Sequence, residues 1–218
     1  PLCLVGSEMC IRDRVIAFPA SFTLAFRVSE NFRRWAIFLL IIPFFTSYLV
    51  RTFSWYVILA EKGVINALLS YINLGPFIML NTHIGTLVGY MTLTLPLVII
   101  LQTVTMANID KNLIEAAYNL GCKPYLIIQR VIIPLSKTGF IIAAVFCFIL
   151  SFGDFVAPFY LGGSQEPTLP ILILDTTKSG QQWPRAAVVA IVMMVTLFAI
   201  AFIGIMTAYS KSFKNDKR

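Results

Sequence analysis

The residues that could do chemistry in this chain are few, and long apolar runs separate them. Glu115 stands in the most patterned stretch: Glu115-Ala116-Ala117, then Gly121, then Ile133-Pro134-Leu135. Two small side chains beside one carboxylate let a partner surface approach closely and leave one charge to pair across the contact. Asp154 closes the uncharged run at residues 138–153. A carboxylate at that depth is costly unless it is paired or wet. It could line a pathway and attract a cation, or it could cap a helix or serve a subunit contact. Phe155 follows it directly. Trp55, next to Tyr56, could hold a cation over its ring face or anchor the chain at a membrane interface. Asp154, Trp55 and Phe155 are therefore the candidate pathway residues.

No catalytic set can be assembled. His83 is the one histidine, so it builds neither a metal site nor a Ser-His-Asp arrangement and reads as a hydrogen-bonded helix residue. There is no GxxxxGK[ST] loop to cradle phosphates, so ATP hydrolysis is not expected of this chain. Gly85 and Gly89 form a GxxxG spacing that suits close helix packing.

The elements that must position these residues are apolar helices. Of 218 residues, 58% are hydrophobic and 12% charged, with a mean hydropathy of +0.84. A soluble domain averages about 25% charged residues, so this balance excludes most water-soluble enzymes. The formal charge of +7 does not point to nucleic acid, because the basic residues lie between apolar runs, as positive-inside topology produces. Five uncharged segments stand out, at 15–26, 35–50, 77–104, 138–153 and 186–210. Each must be helical, since the bilayer core offers no water to free backbone groups. The first is too short to span alone and reads as the tail of a longer helix. Asn73, Gly75 and Pro76 mark the start of the third.

Residues 3–14, CLVGSEMCIRDR, resemble a translated sequencing adapter. Residues 1–14 are therefore set aside as a scar, and the chain is expected to lack its natural start. Cys3 and Cys10 leave with it, and Cys122 and Cys147 imply no disulfide framework. The membrane domain is placed at 15–210, with a cytoplasmic loop at about 107–137 and a basic cytoplasmic tail at 211–218. Arg27, Arg33, Arg34, Lys111, Lys123, Arg130, Lys137 and the tail fall on one side. Only Arg51, Lys62, Lys178 and Arg185 fall on the other.

The 107–137 loop is too regular for a passive linker. Asp110 is an N-cap, and residues 111–120 read as an amphipathic helix with Leu113, Ala116, Ala117 and Leu120 on one face. Gly121 ends it in the left-handed conformation. Pro124 opens a second helix over 125–131, which Pro134 breaks.

Glu115-Ala116-Ala117, Gly121 and Ile133-Pro134-Leu135 together resemble the EAA loop of ABC-importer permeases, with Ile-Pro in place of the usual Leu-Pro. Phe18-Pro19-Ala20, Pro43-Phe44-Phe45-Thr46-Ser47, Arg51-Thr52-Phe53-Ser54-Trp55, Gly63 with Asn66, Gly153-Asp154-Phe155-Val156 and Gln182-Trp183-Pro184 are similar to blocks of the spermidine/putrescine-type subfamily. The resemblance covers about residues 18–202. It implies an all-α, polytopic bundle of the type I ABC-importer kind, with about five of six transmembrane segments present, in a bacterial inner membrane. It implies a polyamine pathway and a coupling loop formed by Glu115, Ala116, Ala117, Gly121 and Pro134. The implied partners are a homodimeric ABC ATPase that binds ATP and Mg, a second permease subunit, an extracytoplasmic substrate-binding protein and membrane lipid. No cofactor is expected in the chain itself. Ferric iron, sulfate or an opine stay open as solutes. A membrane-embedded enzyme or a secondary transporter would need acidic or histidine clusters that the sequence lacks.

Overall fold

A computed structural model describes residues 2–71, 77–164 and 168–209. Every regular element among them is helical: α1 (Leu2–Phe22), α2 (Glu30–Phe45), α3 (Tyr48–Leu59), α4 (Val64–Tyr71), α5 (His83–Ala107), α6 (Lys111–Asn119), α7 (Pro124–Ile127), α8 (Ile133–Leu135), α9 (Lys137–Gly153), α10 (Val156–Tyr160), α11 (Leu169–Lys178) and α12 (Trp183–Tyr209). The start of the third apolar segment at 73–76 and the basic tail at 211–218 lie outside the described residues.

Among the described residues, α5 and α12 are each long and apolar enough to cross a membrane. Two bent pairs, α2 with α3–α4 and α7–α8 with α9, reach that length if each is one span. These account for four of the five expected segments. The fifth falls in α1, whose earlier turns carry Arg12, Asp13 and Arg14 and which runs unbroken past residue 14. The segment expected over 35–50 breaks at Thr46 and Ser47. Pro43, which cannot donate to the helix ladder, lies just before that break. The segment expected from residue 77 becomes helical only at His83. Phe77 is held outside the helix by the Asn66 amide, which accepts from its N–H at 3.0 Å and donates to its carbonyl at 3.0 Å.

The helices gather into two compact units. One is built around Ile42–Thr94 and Phe148–Ala199. In it the GxxxG face of α5 meets α10: a side-chain carbon added to Gly89 would lie 2.6 Å from the Ala157 Cβ, and one added to Gly85 would lie 2.6 Å from the Leu161 carbonyl oxygen. Only glycine permits that approach. Phe53 of α3 stacks at a tilt on Tyr160 of α10, with ring centroids 4.9 Å apart.

The other unit is built around Cys10–Ile41 and Leu95–Cys147. Its core is Ala25, Met106, Ile127 and Ile132, all buried, with Phe18, Phe22, Phe26, Ile114, Ala117 and Cys122 packed around them. The Phe18, Phe22 and Phe26 rings follow one another down a face of α1 and its π-helical extension at Thr23–Arg27, at 6.2 Å and 5.2 Å. Ser21 ties α1 to α5 by donating to the Ile99 carbonyl at 3.3 Å. Cys147 donates to Asp13 at 3.6 Å. Along α12, Val188, Ile191, Val195, Phe198 and Phe202 stay exposed in one stripe, which suits a helix facing lipid.

Candidate functional site

The loop at 107–137 folds as two short helices joined at a glycine. Asp110 caps α6: its carboxylate accepts the Asn112 N–H at 3.0 Å. Gly121 closes the helix with a positive φ of 77°. The Gly121 N–H donates to the Tyr118 carbonyl at 2.9 Å, and the Cys122 N–H donates to the Ala117 carbonyl at 3.2 Å. This pair of bonds is a Schellman motif, and it satisfies carbonyls that the helix end would otherwise leave without donors. Nothing crowds Gly121 within 4 Å, so the glycine is required by the backbone alone.

The expected face of α6 needs a correction. Ala117 does not share the outer face with Leu113, Ala116 and Leu120. With Ile114 it turns inward onto the Met106–Ile127 core. The apolar residues therefore form two stripes, and the 3.6-residue period assigns Ile114 and Ala117 to one and Leu113, Ala116 and Leu120 to the other. Leu113 is 49% exposed and Leu120 83% exposed, with Ala116 exposed between them. Glu115 is exposed and stands with Arg27 and Lys111 at a cavity floored by Phe22, Phe26, Ile127 and Ile132.

Pro134 does not break the second helix. The chain widens into a π-helical turn at Ile128–Ile132, so the Ile133 N–H reaches the Ile128 carbonyl five residues back. That wider turn absorbs the ring and the missing donor at Pro134. The helix then runs to Leu135 and turns by 68° at Ser136, where α9 begins.

Asp154 is buried, and three groups donate to it. Its carboxylate accepts from the Tyr48 hydroxyl at 2.6 Å, the Val156 N–H at 2.9 Å and the Ala157 N–H at 3.2 Å. It therefore caps the start of α10 and fastens that helix to α3. Trp55 is half-buried two turns beyond Tyr48 on the same face of α3, which also carries the buried Thr52 and Leu59. Phe155 is 42% exposed.

Sequence reasoning misses Tyr48, whose only signal is a phenol three residues before an arginine. It also misses the bonding of Arg51, which reads in sequence as a flanking charge. One Arg51 nitrogen donates to the Thr92 carbonyl at 3.2 Å. The second terminal nitrogen donates to the carbonyls of Pro43 and Thr46 and to the Thr46 hydroxyl.

Comparison with known proteins places this geometry. The family described as "Binding-protein-dependent transport system inner membrane component" matches residues 15–215. The spermidine/putrescine transport system permease protein PotB of Haemophilus influenzae is 28% identical over 203 residues, 91% of this chain and 69% of that protein. PotB of Escherichia coli K12 is 25% identical over 198 residues, 90% of this chain and 70% of that protein. The crystal structure of a bacterial alginate ABC transporter, in complex with an alginate pentasaccharide-bound periplasmic protein, aligns with a TM-score of 0.70. It is 14% identical, covering 92% of this chain and 76% of that one. Residues 15–215 hold the two-helix loop, the capped α10 and both single-helix spans, and the chain belongs to the family of inner-membrane components of binding-protein-dependent transport systems.

Proposed function

We propose that this multi-pass inner-membrane permease carries polyamines and is driven through the α6–Gly121–α7 loop by a cytoplasmic ABC ATPase dimer. The observation that carries the coupling role is the two-sided α6. Its Ile114–Ala117 side is embedded in the core, and its Leu113–Ala116–Leu120 side is apolar and uncovered. A helix rooted on one side and bare on the other transmits a push from a partner to the membrane helices. Glu115 adds a charge that a partner arginine or lysine can meet. Support for the substrate comes from the PotB relatives, whose names specify spermidine and putrescine.

On this reading the membrane domain spans 15–210 and the loop at 107–137 faces the cytoplasm. The chain brings no ATPase site of its own, and ATP and Mg are bound by the partner ATPase. A second permease completes the pathway, and an extracytoplasmic substrate-binding protein delivers the solute. Alternating access follows if the ATPase dimer binds the inward-facing and outward-facing states with different affinity. That difference is the largest shift the partner can impose. Trp55, Phe155 and Asp154 remain the candidate pathway residues, and Asp154 also serves as the α10 cap.

The test is Ala116→Arg in the complete transporter. Ala116 faces outward, so the substitution blocks a partner without disturbing the core. The expected result is a membrane level equal to wild type with loss of substrate-stimulated ATP hydrolysis. Full stimulation would remove the coupling role. Labelled putrescine uptake, competed with spermidine, ferric iron, sulfate and an opine, tests the solute separately.

A further inference from the structure

Arg51 serves a carbonyl that the ordinary rules of helix bonding leave without a donor. In a helix the carbonyl of residue 92 accepts from the N–H of residue 96. Residue 96 is proline and has no N–H to give. Arg51, from the first turn of α3, donates to that carbonyl at 3.2 Å. Thr46 follows the C-terminal end of α2, where the last carbonyls lack i+4 partners, and the Pro43 carbonyl one turn earlier already accepts from the Thr46 N–H at 3.3 Å and the Thr46 hydroxyl at 2.8 Å. The same guanidinium donates to both carbonyls, and to the Thr46 hydroxyl at 3.2 Å. A planar five-donor fork can serve acceptors on several elements at once, which a lysine ammonium on its single stem does less well. None of these acceptors is a carboxylate. Tyr48, which holds Asp154, sits three residues earlier on α3, so whatever fixes Arg51 also fixes where the Tyr48 hydroxyl stands.

We infer that Arg51 is a positioning residue of the permease, replacing the amide that Pro96 lacks, pinning the α2–α3 break to α5 at Thr92 and thereby setting Tyr48 against Asp154. Proline kinks are tolerated in membrane helices where neighbouring groups re-satisfy the freed backbone. Here the neighbour is one side chain from another helix.

The experiment uses the full chain in lipid nanodiscs, with 13C at threonine carbonyls and 15N at leucine amides. This labelling isolates Thr–Leu peptides, and Thr92→Ser identifies the signal of Thr92–Leu93. Arg51→Gln is expected to move the Thr92 carbonyl resonance upfield, as loss of a hydrogen bond does. Pro96→Ala restores an N–H at residue 96, and in that background Arg51→Gln is expected to move the resonance far less. Putrescine uptake by the complete transporter should follow the same pattern. Arg51→Gln should cost about tenfold beside the native Pro96, the scale of one charged hydrogen bond, and at most about twofold in the Pro96→Ala background. Arg51→Lys keeps the charge and carries both readouts should the glutamine variant not reach the membrane. An unmoved Thr92 resonance, or equal uptake losses in the two backgrounds, would overturn the inference. The carbonyl signal does not depend on the solute, so a wild type that fails to take up putrescine would refute the polyamine reading and leave this test standing.

Discussion

The bond between Tyr48 and Asp154 gives the sharpest test of how α10 is held at the C-terminal end of α9. Tyr48→Phe removes one hydroxyl and leaves the two backbone donors at Val156 and Ala157 in place. A hydrogen bond to a charged group contributes about 1.5–3 kcal/mol, and Tyr48 is only half-buried, so the low end, about 1.5 kcal/mol, is the expected loss. Asp154→Ala removes the same bond and also the cap on α10. A lost cap costs about 1 kcal/mol, which brings the total to about 2.5 kcal/mol. The double variant should then cost about 2.5 kcal/mol rather than about 4, because the shared bond can be lost only once. Asp154→Ser can still cap but cannot reach the phenol, so it should match Tyr48→Phe. The assay is reversible unfolding in mixed micelles followed by helical circular dichroism. Additivity of the two single losses to within about 0.5 kcal/mol would refute the bond. A serine variant as unstable as alanine would refute the cap. Uptake that falls in Asp154→Ser but not in Tyr48→Phe would assign the carboxylate a part in the pathway beyond holding α10.

Three further outcomes follow from the geometry. Gly121→Ala should destabilise the loop by about 1–2 kcal/mol through its positive φ alone, and Gly121→Asn by less; equal stability of all three in micelle unfolding would contradict the left-handed closure. Gly89→Val places a branched side chain where even a Cβ lies 2.6 Å from Ala157, so it should cost about 1–3 kcal/mol by overpacking; a neutral result would show that α5 and α10 do not touch there. Asn66→Ala leaves the N–H and the carbonyl of Phe77 without their side-chain partner and should speed amide exchange at Phe77, whereas Asn66→Asp should keep the bond from the Phe77 N–H and lose the other.

What is legible in the sequence follows from how local each rule is. Asp110 and Gly121 are correctly assigned because an N-cap and a left-handed stop depend on residues within one turn. The spans of α5 and α12 are legible because an uncharged run of that length has few alternatives in a bilayer. The division of α6 is not, since Leu113, Ile114, Ala116, Ala117 and Leu120 are all apolar or small. The two apolar stripes lie side by side on the helix, so the period alone does not say which residues face the protein, and only the Met106–Ile127 core decides that Ile114 and Ala117 turn in. The break after Pro43 and the passage through Pro134 show a second limit. Proline states that a donor is missing, but the sequence does not say whether the helix stops, widens or borrows a donor from elsewhere. Tyr48 and Arg51 act across more than forty residues of chain, a separation that no spacing rule covers.

The prolines also show why the borrowed donor matters if the permease alternates between two states as proposed. Pro19, Pro43 and Pro96 lie inside helices, and Pro134 follows a π-helical turn. Past Pro19 the helix widens into the turn at Thr23–Arg27, and before Pro134 it widens at Ile128–Ile132. Beyond Pro43 it ends within a few residues. In these three cases the ladder itself is altered, and changing the bend means remaking backbone bonds. At Pro96 the helix continues to Ala107 and the freed carbonyl is served from outside by Arg51. Such a bond can be given up and remade by moving one flexible side chain, leaving the other backbone bonds of α5 as they are. Alternating access needs elements with two discrete arrangements of similar free energy. On the proposed mechanism, the Arg51–Thr92 bond between α3 and α5 is a contact that can switch without remaking a turn of helix.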